Sequence, residues 1–154
     1  MLQLFRKLFS REPQLTLNHA YFGRLLFIRG ANAASHYWEG ELAVVGLPEK
    51  VGLTIPAPES GPSEAQVHFC RALLGDLDAL FTRCKPVFEG KFEEWTQKAF
   101  PSHWREDFSL VGLGLPVGGD DMRPWDVTYF VEAANHYFTV YFEDGTAAHL
   151  TIDG

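Results

Sequence analysis

Sulfur is scarce in this chain. There are two cysteines, Cys70 and Cys84, and two methionines. No CxxC pair or Cys/His cluster occurs, and the six histidines show neither HxH nor HExxH spacing, so no zinc or other metal site is expected. The two cysteines fall in one helical pattern, fourteen positions apart, or about 21 Å along a helix axis. A disulfide needs Cα atoms within about 7 Å. Buried, reduced, inert thiols are therefore expected, which suits a cytoplasmic location.

Positive charge is also scarce. The net charge is −7, yet Arg6, Lys7 and Arg11 stand among the first eleven residues without an acid, leaving −10 on the remainder. From Glu106 onward nine acidic residues face a single basic one, Arg123. Such a surface repels phosphate backbones, so nucleic-acid binding is not expected, and a partner with a basic surface fits better.

Nucleotide and nucleophile motifs are missing. "GLGLPVGG" lacks the Lys-Ser/Thr of a phosphate loop and the third glycine of a dinucleotide fingerprint. There is no Gly-x-Ser-x-Gly elbow. Cys70 lies two residues from His68, a spacing that points side chains about 200° apart on a helix. Glu93-Glu94 and Glu106-Asp107 are adjacent rather than facing, unlike an acid/base couple. The pair Asp120-Asp121 lacks the alternating ligands of a calcium loop and reads as a solvated turn. No cofactor and no catalytic residue are expected.

No apolar run is long enough to span a bilayer. The opening MLQLFRKLFSREP has Leu4, Phe5, Leu8 and Phe9 at helical spacing. It reads as a short basic amphipathic segment over 1–13, with at most weak peripheral membrane contact by residues 1–11. Residues 14–154 read as one domain, large enough for a core.

Aromatic residues are plentiful, at 14% of the chain. Tyr21–Arg29, Tyr37–Val45 and Lys50–Ile55 read as strands separated by Gly/Pro turns. In the second, Trp38, Gly40, Leu42 and Val44 alternate with Tyr37, Glu39 and Glu41, as in a sheet with one covered face. Ser63-Glu64-Ala65-Gln66 has the form of a capping box. Behind it Val67, Cys70, Leu74, Leu77, Phe81 and Cys84 predict one amphipathic helix of about twenty residues. Pro86 is expected to bend or restart it, giving a second helix over Val87–Phe100. Trp95, Trp104, Phe92, Phe100 and Phe108 are expected to seal helix onto sheet. Phe108–Leu115, Trp125–Val131, Tyr137–Phe142 and Thr146–Ile152 read as the remaining strands. The fold class is α+β: a meandering antiparallel sheet with two helices on one face.

Parity then sorts the last strands. A loop at Ala134-Asn135 would pair Val131 with Phe138. A three-residue turn with Gly145 in a bulge would pair Phe142 with Thr146 and Val140 with Ala148, so that Thr139 neighbours His149. Val127, Tyr129, Val131, Phe138, Val140, Phe142, Ala148, Leu150 and Ile152 then share the core face. Phe130, Tyr137, Thr139, Tyr141, Ala147, His149 and Thr151 share the other. Tyr137, Tyr141 and His149 are the candidate binding residues.

"YWEGELAVV", "FPSHWREDFSL" and "WDVTYFVEAANHYFTVYFEDG", in that order, resemble a family of small uncharacterised bacterial proteins, a domain of unknown function. The resemblance covers about residues 15–154. It implies a bacterial, cytoplasmic protein and transfers no catalytic residue. The function expected is non-enzymatic: a protein-binding or accessory module using an acidic, aromatic sheet surface. A toxin-neutralising immunity protein and a small enzyme or ligand binder with a site near His149 are the alternatives, and homodimerisation through that sheet is a third.

Overall fold

The structure is a computed structural model and describes residues 13–154. The short basic amphipathic segment expected over 1–13, with its membrane contact by residues 1–11, lies outside the described residues except for Pro13. Among those described, no helix is long and apolar enough to cross a membrane.

Eight strands form one sheet whose spatial order follows the chain. They are β1 (Thr16–His19), β2 (Gly23–Ile28), β3 (Tyr37–Leu42), β4 (Val51–Pro56), β5 (Phe108–Gly114), β6 (Trp125–Val131), β7 (His136–Glu143) and β8 (Thr146–Asp153). Two helices, α1 (Glu64–Gly75) and α2 (Leu77–Thr96), connect β4 to β5. Neighbouring strands are antiparallel except β4 and β5, which run parallel. A parallel pair needs a crossover, and the helices supply it. The α+β architecture expected from the pattern is present, with this one parallel seam inside it.

Strand β1 was not expected. It carries one apolar residue, Leu17, and is held by its ladder to β2. The turn between them closes on His19, whose Nδ1 accepts the amides of Tyr21 and Phe22 at 3.1 and 3.2 Å.

The helical stripe is divided differently from the expectation. The break falls at Asp76, not at Pro86. Asp76 closes α1 through its amide, donating to the Leu73 carbonyl, and opens α2 by accepting the Ala79 amide at 2.9 Å. Pro86 lies inside α2. An interior proline loses a hydrogen bond and costs about 3 kcal/mol. Phe88 and Phe92, both fully buried and four apart, keep the helix on the sheet across that defect. Cys70 and Cys84 consequently sit in different helices, both buried and unbridged.

The core lies between the helices and one sheet face. Phe81 stacks on Trp104 at 4.9 Å, and Phe88 and Phe108 meet it edge-on or tilted. Tyr129 is fully buried among these rings. Of the aromatic group expected as a seal, Phe92 and Phe108 are buried and Phe100 and Trp104 half-buried. Trp95 is 45% exposed against His136, so the expectation fails for it.

Both final registers differ in detail from those expected. The β6–β7 loop has four residues, and Val131 pairs with His136, Tyr129 with Phe138 and Trp125 with Phe142. This is a shift of two, so no side chain changes face. In the last hairpin Glu143 pairs with Thr146 across a two-residue turn, Asp144-Gly145, at φ +50° and +76°. Asp-Gly tolerates two successive left-handed residues, and that turn matches strand twist. A bulge at Ala148 then restores parity, so Leu150 and Ile152 still reach the core face. Ala147, not Ala148, lies on that face, opposite Phe142.

Candidate functional site

Pairing across the sheet places the open-face side chains in rows. One row runs Glu39, Thr54, Gly114, Asp126, Tyr141, His149 from β3 to β8. The next runs Glu41, Gly52, Gly112, Thr128, Thr139, Thr151. A third, shorter row is Phe130, Tyr137, Asp153. Tyr137, Tyr141 and His149 therefore share the open face, as parity required.

Tyr141 and His149 are stacked, with ring centroids 4.6 Å apart and planes 12° from parallel. His149 was expected beside Thr139. The bulge at Ala148 places it opposite Tyr141 instead, while Thr139 pairs with Thr151 and its hydroxyl lies 2.9 Å from that of Thr128. The His149 side chain is 55% exposed, with Nδ1 4.0 Å from Glu143 Oε1. A neighbouring cleft of about 270 Å³ is lined by Tyr141, Trp125 and Asp126, and not by His149. Tyr137, 45% exposed, leans on Phe130 with centroids 5.2 Å apart.

The middle of the face is bare. Gly52, Gly112 and Gly114 leave a trough of about 380 Å³ between Glu39, Glu41, Thr54, Asp126 and Thr128. A Cβ on Gly114 would fall 2.3 Å from Asp126 Oδ1, so the glycine is what lets this carboxylate lie across β5. Burial raises the Asp126 carboxyl above its ordinary range, and no hydrogen bond or charge among the described residues draws it back. It is an acid half-removed from water, and two exposed acids, Glu39 and Glu41, line the far side of the same trough. The face can accept a lysine or arginine; it offers no nucleophile with an attached base. Sequence reasoning counted Asp126 only as surface charge. The signal available was the alternation of glycines 112 and 114 in a strand, which strips one face.

Away from this face the polar groups are committed to the fold. Asp121 accepts Arg83 at 2.9 and 3.0 Å and the Trp125 indole at 2.9 Å, and Asp120 accepts the Met122 amide. Of the pair expected to be a solvated turn, Asp120 stays exposed in the turn and Asp121 ties α2 to β6. The Ser63–Gln66 capping box forms. Gln66, 1% exposed, also donates to the Pro56 and Pro116 carbonyls at 2.8 and 3.1 Å. Burial pushes the Cys70 thiol up to about 11 and the Cys84 thiol to about 12, so neither is a thiolate at neutral pH. Among the described residues no three His, Cys, Asp or Glu side chains group to hold a metal.

No family model, no curated protein and no solved structure matches the chain.

Proposed function

We propose that this chain is a non-enzymatic protein-binding module whose open sheet face receives a basic segment of another protein. One observation carries the reading: the Asp126 carboxylate is partly desolvated, unpaired among the described residues and laid over a glycine floor, on the opposite side of the trough from Glu39 and Glu41. A lone carboxylate in that position costs stability, and a guanidinium or ammonium group from a partner offsets the cost. Phe130, Tyr137 and the Tyr141–His149 stack flank the trough and supply apolar area for the rest of the segment. Neutralising a basic toxin would be one instance of this role. A cytoplasmic setting and a bacterial origin belong to the same reading, supported by two unbridged thiols and by the resemblance over residues 15–154.

An enzyme at His149 is less well supported. That reading needs a concave site around the imidazole, and the side chain is more than half exposed on an edge strand.

The test uses an arginine-containing peptide series and titration calorimetry. The wild type should bind with an affinity that falls as salt rises. Asp126→Asn should weaken binding at least tenfold, and Tyr137→Ala with Tyr141→Ala should weaken it further. Equal affinity for the wild type and Asp126→Asn would overturn the proposal.

A further inference from the structure

Of the two sheet edges, β1 is four residues long, whereas β8 is eight. Among the described residues nothing pairs with the outer edge of β8. Long unpaired edges invite strand addition, and proteins usually block them with lysine, proline or very short strands. Strand β8, TAAHLTID, contains no lysine, arginine or proline. Its protective devices are the bulge at Ala148, next to the turn, which leaves His149–Asp153 regular, and the helix α2, which packs against β8.

We infer that the β8 edge is a self-association site, where a second copy of this chain adds its own β8 antiparallel about a twofold axis at Thr151. The occupant follows from the side chains that this register brings together. Opposite residues in an antiparallel pair share a face, so the register must place like face against like face. With Thr151 on the axis, Leu150 of each copy meets Ile152 of the other. Both are half-buried at the rim of the core, and the contact would cover them. On the open face His149 of each copy meets Asp153 of the other, an imidazole against a carboxylate, twice. Thr151 meets Thr151. Every pair is complementary.

The neighbouring registers are worse. Centring on Leu150 sets His149 against Thr151 and leaves Asp153 opposite Ala147, next to the bulge. Centring on His149 sets two imidazoles against each other and draws the bulge into the seam. Because the axis is perpendicular to the sheet, the two open faces lie on the same side, and the helices on the other. This inference does not depend on the Asp126 trough, and either can fail without the other.

Light scattering over a concentration series gives the first measurement, with the full chain. A concentration-dependent approach to twice the monomer mass is expected, and a monomer at all concentrations up to millimolar overturns the inference. Thr151→Lys puts two ammonium groups on the axis and should raise the dimer dissociation constant at least tenfold; an unchanged constant refutes the site. Register is read by cross-linking, since Cys70 and Cys84 are buried and will not compete. Thr151→Cys should oxidise to a disulfide dimer. Asp153→Cys alone should not, but should cross-link to His149→Cys when the two variants are mixed. Cross-linking of Asp153→Cys to itself as readily as Thr151→Cys would exclude this register.

Discussion

Gln66→Glu should destabilise the protein at neutral pH and lose most of that effect in acid. Gln66 Oε1 accepts the Ser63 amide at 3.0 Å, while Nε2 donates to the carbonyls of Pro56 and Pro116. Those carbonyls lie at the end of β4 and two residues beyond the end of β5, so one side chain ties the crossover helix to both parallel strands. Glutamate preserves the capping oxygen and the shape, and removes both donors. An ionised carboxylate would face two carbonyl oxygens at 1% exposure, so the folded state must hold the acid protonated. Burial of this kind raises a carboxyl by roughly two to three units. At about 1.4 kcal/mol per unit, the cost at pH 7 is about 3–4 kcal/mol. The sign follows from a folded pKa above the unfolded one: stability is retained below about pH 4.3 and lost as pH rises through the folded value. In acid the neutral carboxyl can donate to one carbonyl, leaving a residual deficit of about 1 kcal/mol. Gln66→Ala, which strands both carbonyls, should cost about 3 kcal/mol with little pH dependence. Urea unfolding followed by tryptophan fluorescence at pH 7.0, 5.5 and 4.5 gives the difference from wild type at each pH. A Gln66→Glu variant within about 0.5 kcal/mol of wild type at pH 7, or a deficit that does not shrink on acidification, would refute this account of Gln66.

Three further outcomes follow from single environments. Gly90 is exposed inside α2, and a Cβ there meets nothing within 4 Å. Gly90→Ala should therefore stabilise by about 0.5–1 kcal/mol in urea unfolding. The Tyr129 hydroxyl is buried without a hydrogen-bond partner. Tyr129→Phe should raise stability by about 1 kcal/mol or leave it unchanged, and a loss above about 1 kcal/mol would reveal a bond the geometry does not contain. Asp126→Asn removes a carboxylate whose folded pKa is raised by burial. It should raise the melting temperature at pH 7, with the gain vanishing below about pH 4, where the wild-type acid is protonated in both states.

Much of the fold could be read from residue pattern, and the failures have a common cause. The span of β6, the Ser63 cap and the face assignments of β6 and β7 follow from local rules: alternation, cap chemistry and parity. Parity is robust because both the β6–β7 shift and the β8 bulge conserve it. The division between α1 and α2 was legible but misread. Gly75-Asp76 carries a helix stop and an N-cap in adjacent positions, but by local rules Pro86 is the stronger breaker. What overrode the proline was tertiary: Cys84, Phe88 and Phe92 bury one continuous face. Strand β1, the parallel seam and the second role of Gln66 are set by partners distant in the chain, and no local window contains them.

The candidate site was legible only by half. Tyr137, Tyr141 and His149 came from parity, which reports which residues escape the core. Parity says nothing about what those residues surround. The trough exists because three glycines on two adjacent strands fall side by side, through the parallel pairing of Gly52 with Gly112 and Thr54 with Gly114. A glycine in a strand interior weakens it, by about 0.5–1 kcal/mol relative to alanine. At Gly114 the alternative is excluded by the Asp126 carboxylate, and at Gly112 a Cβ would touch the Thr128 side chain at 3.4 Å. Asp126 itself also opposes folding at neutral pH, as its raised pKa requires. Two stability costs thus coincide on one patch of an otherwise well-packed sheet. If they served only the fold, Asp126→Asn would improve the protein without penalty. If the patch receives a cation, the same variant should gain stability and lose affinity together, and that opposed pair of changes separates a binding surface from a packing defect.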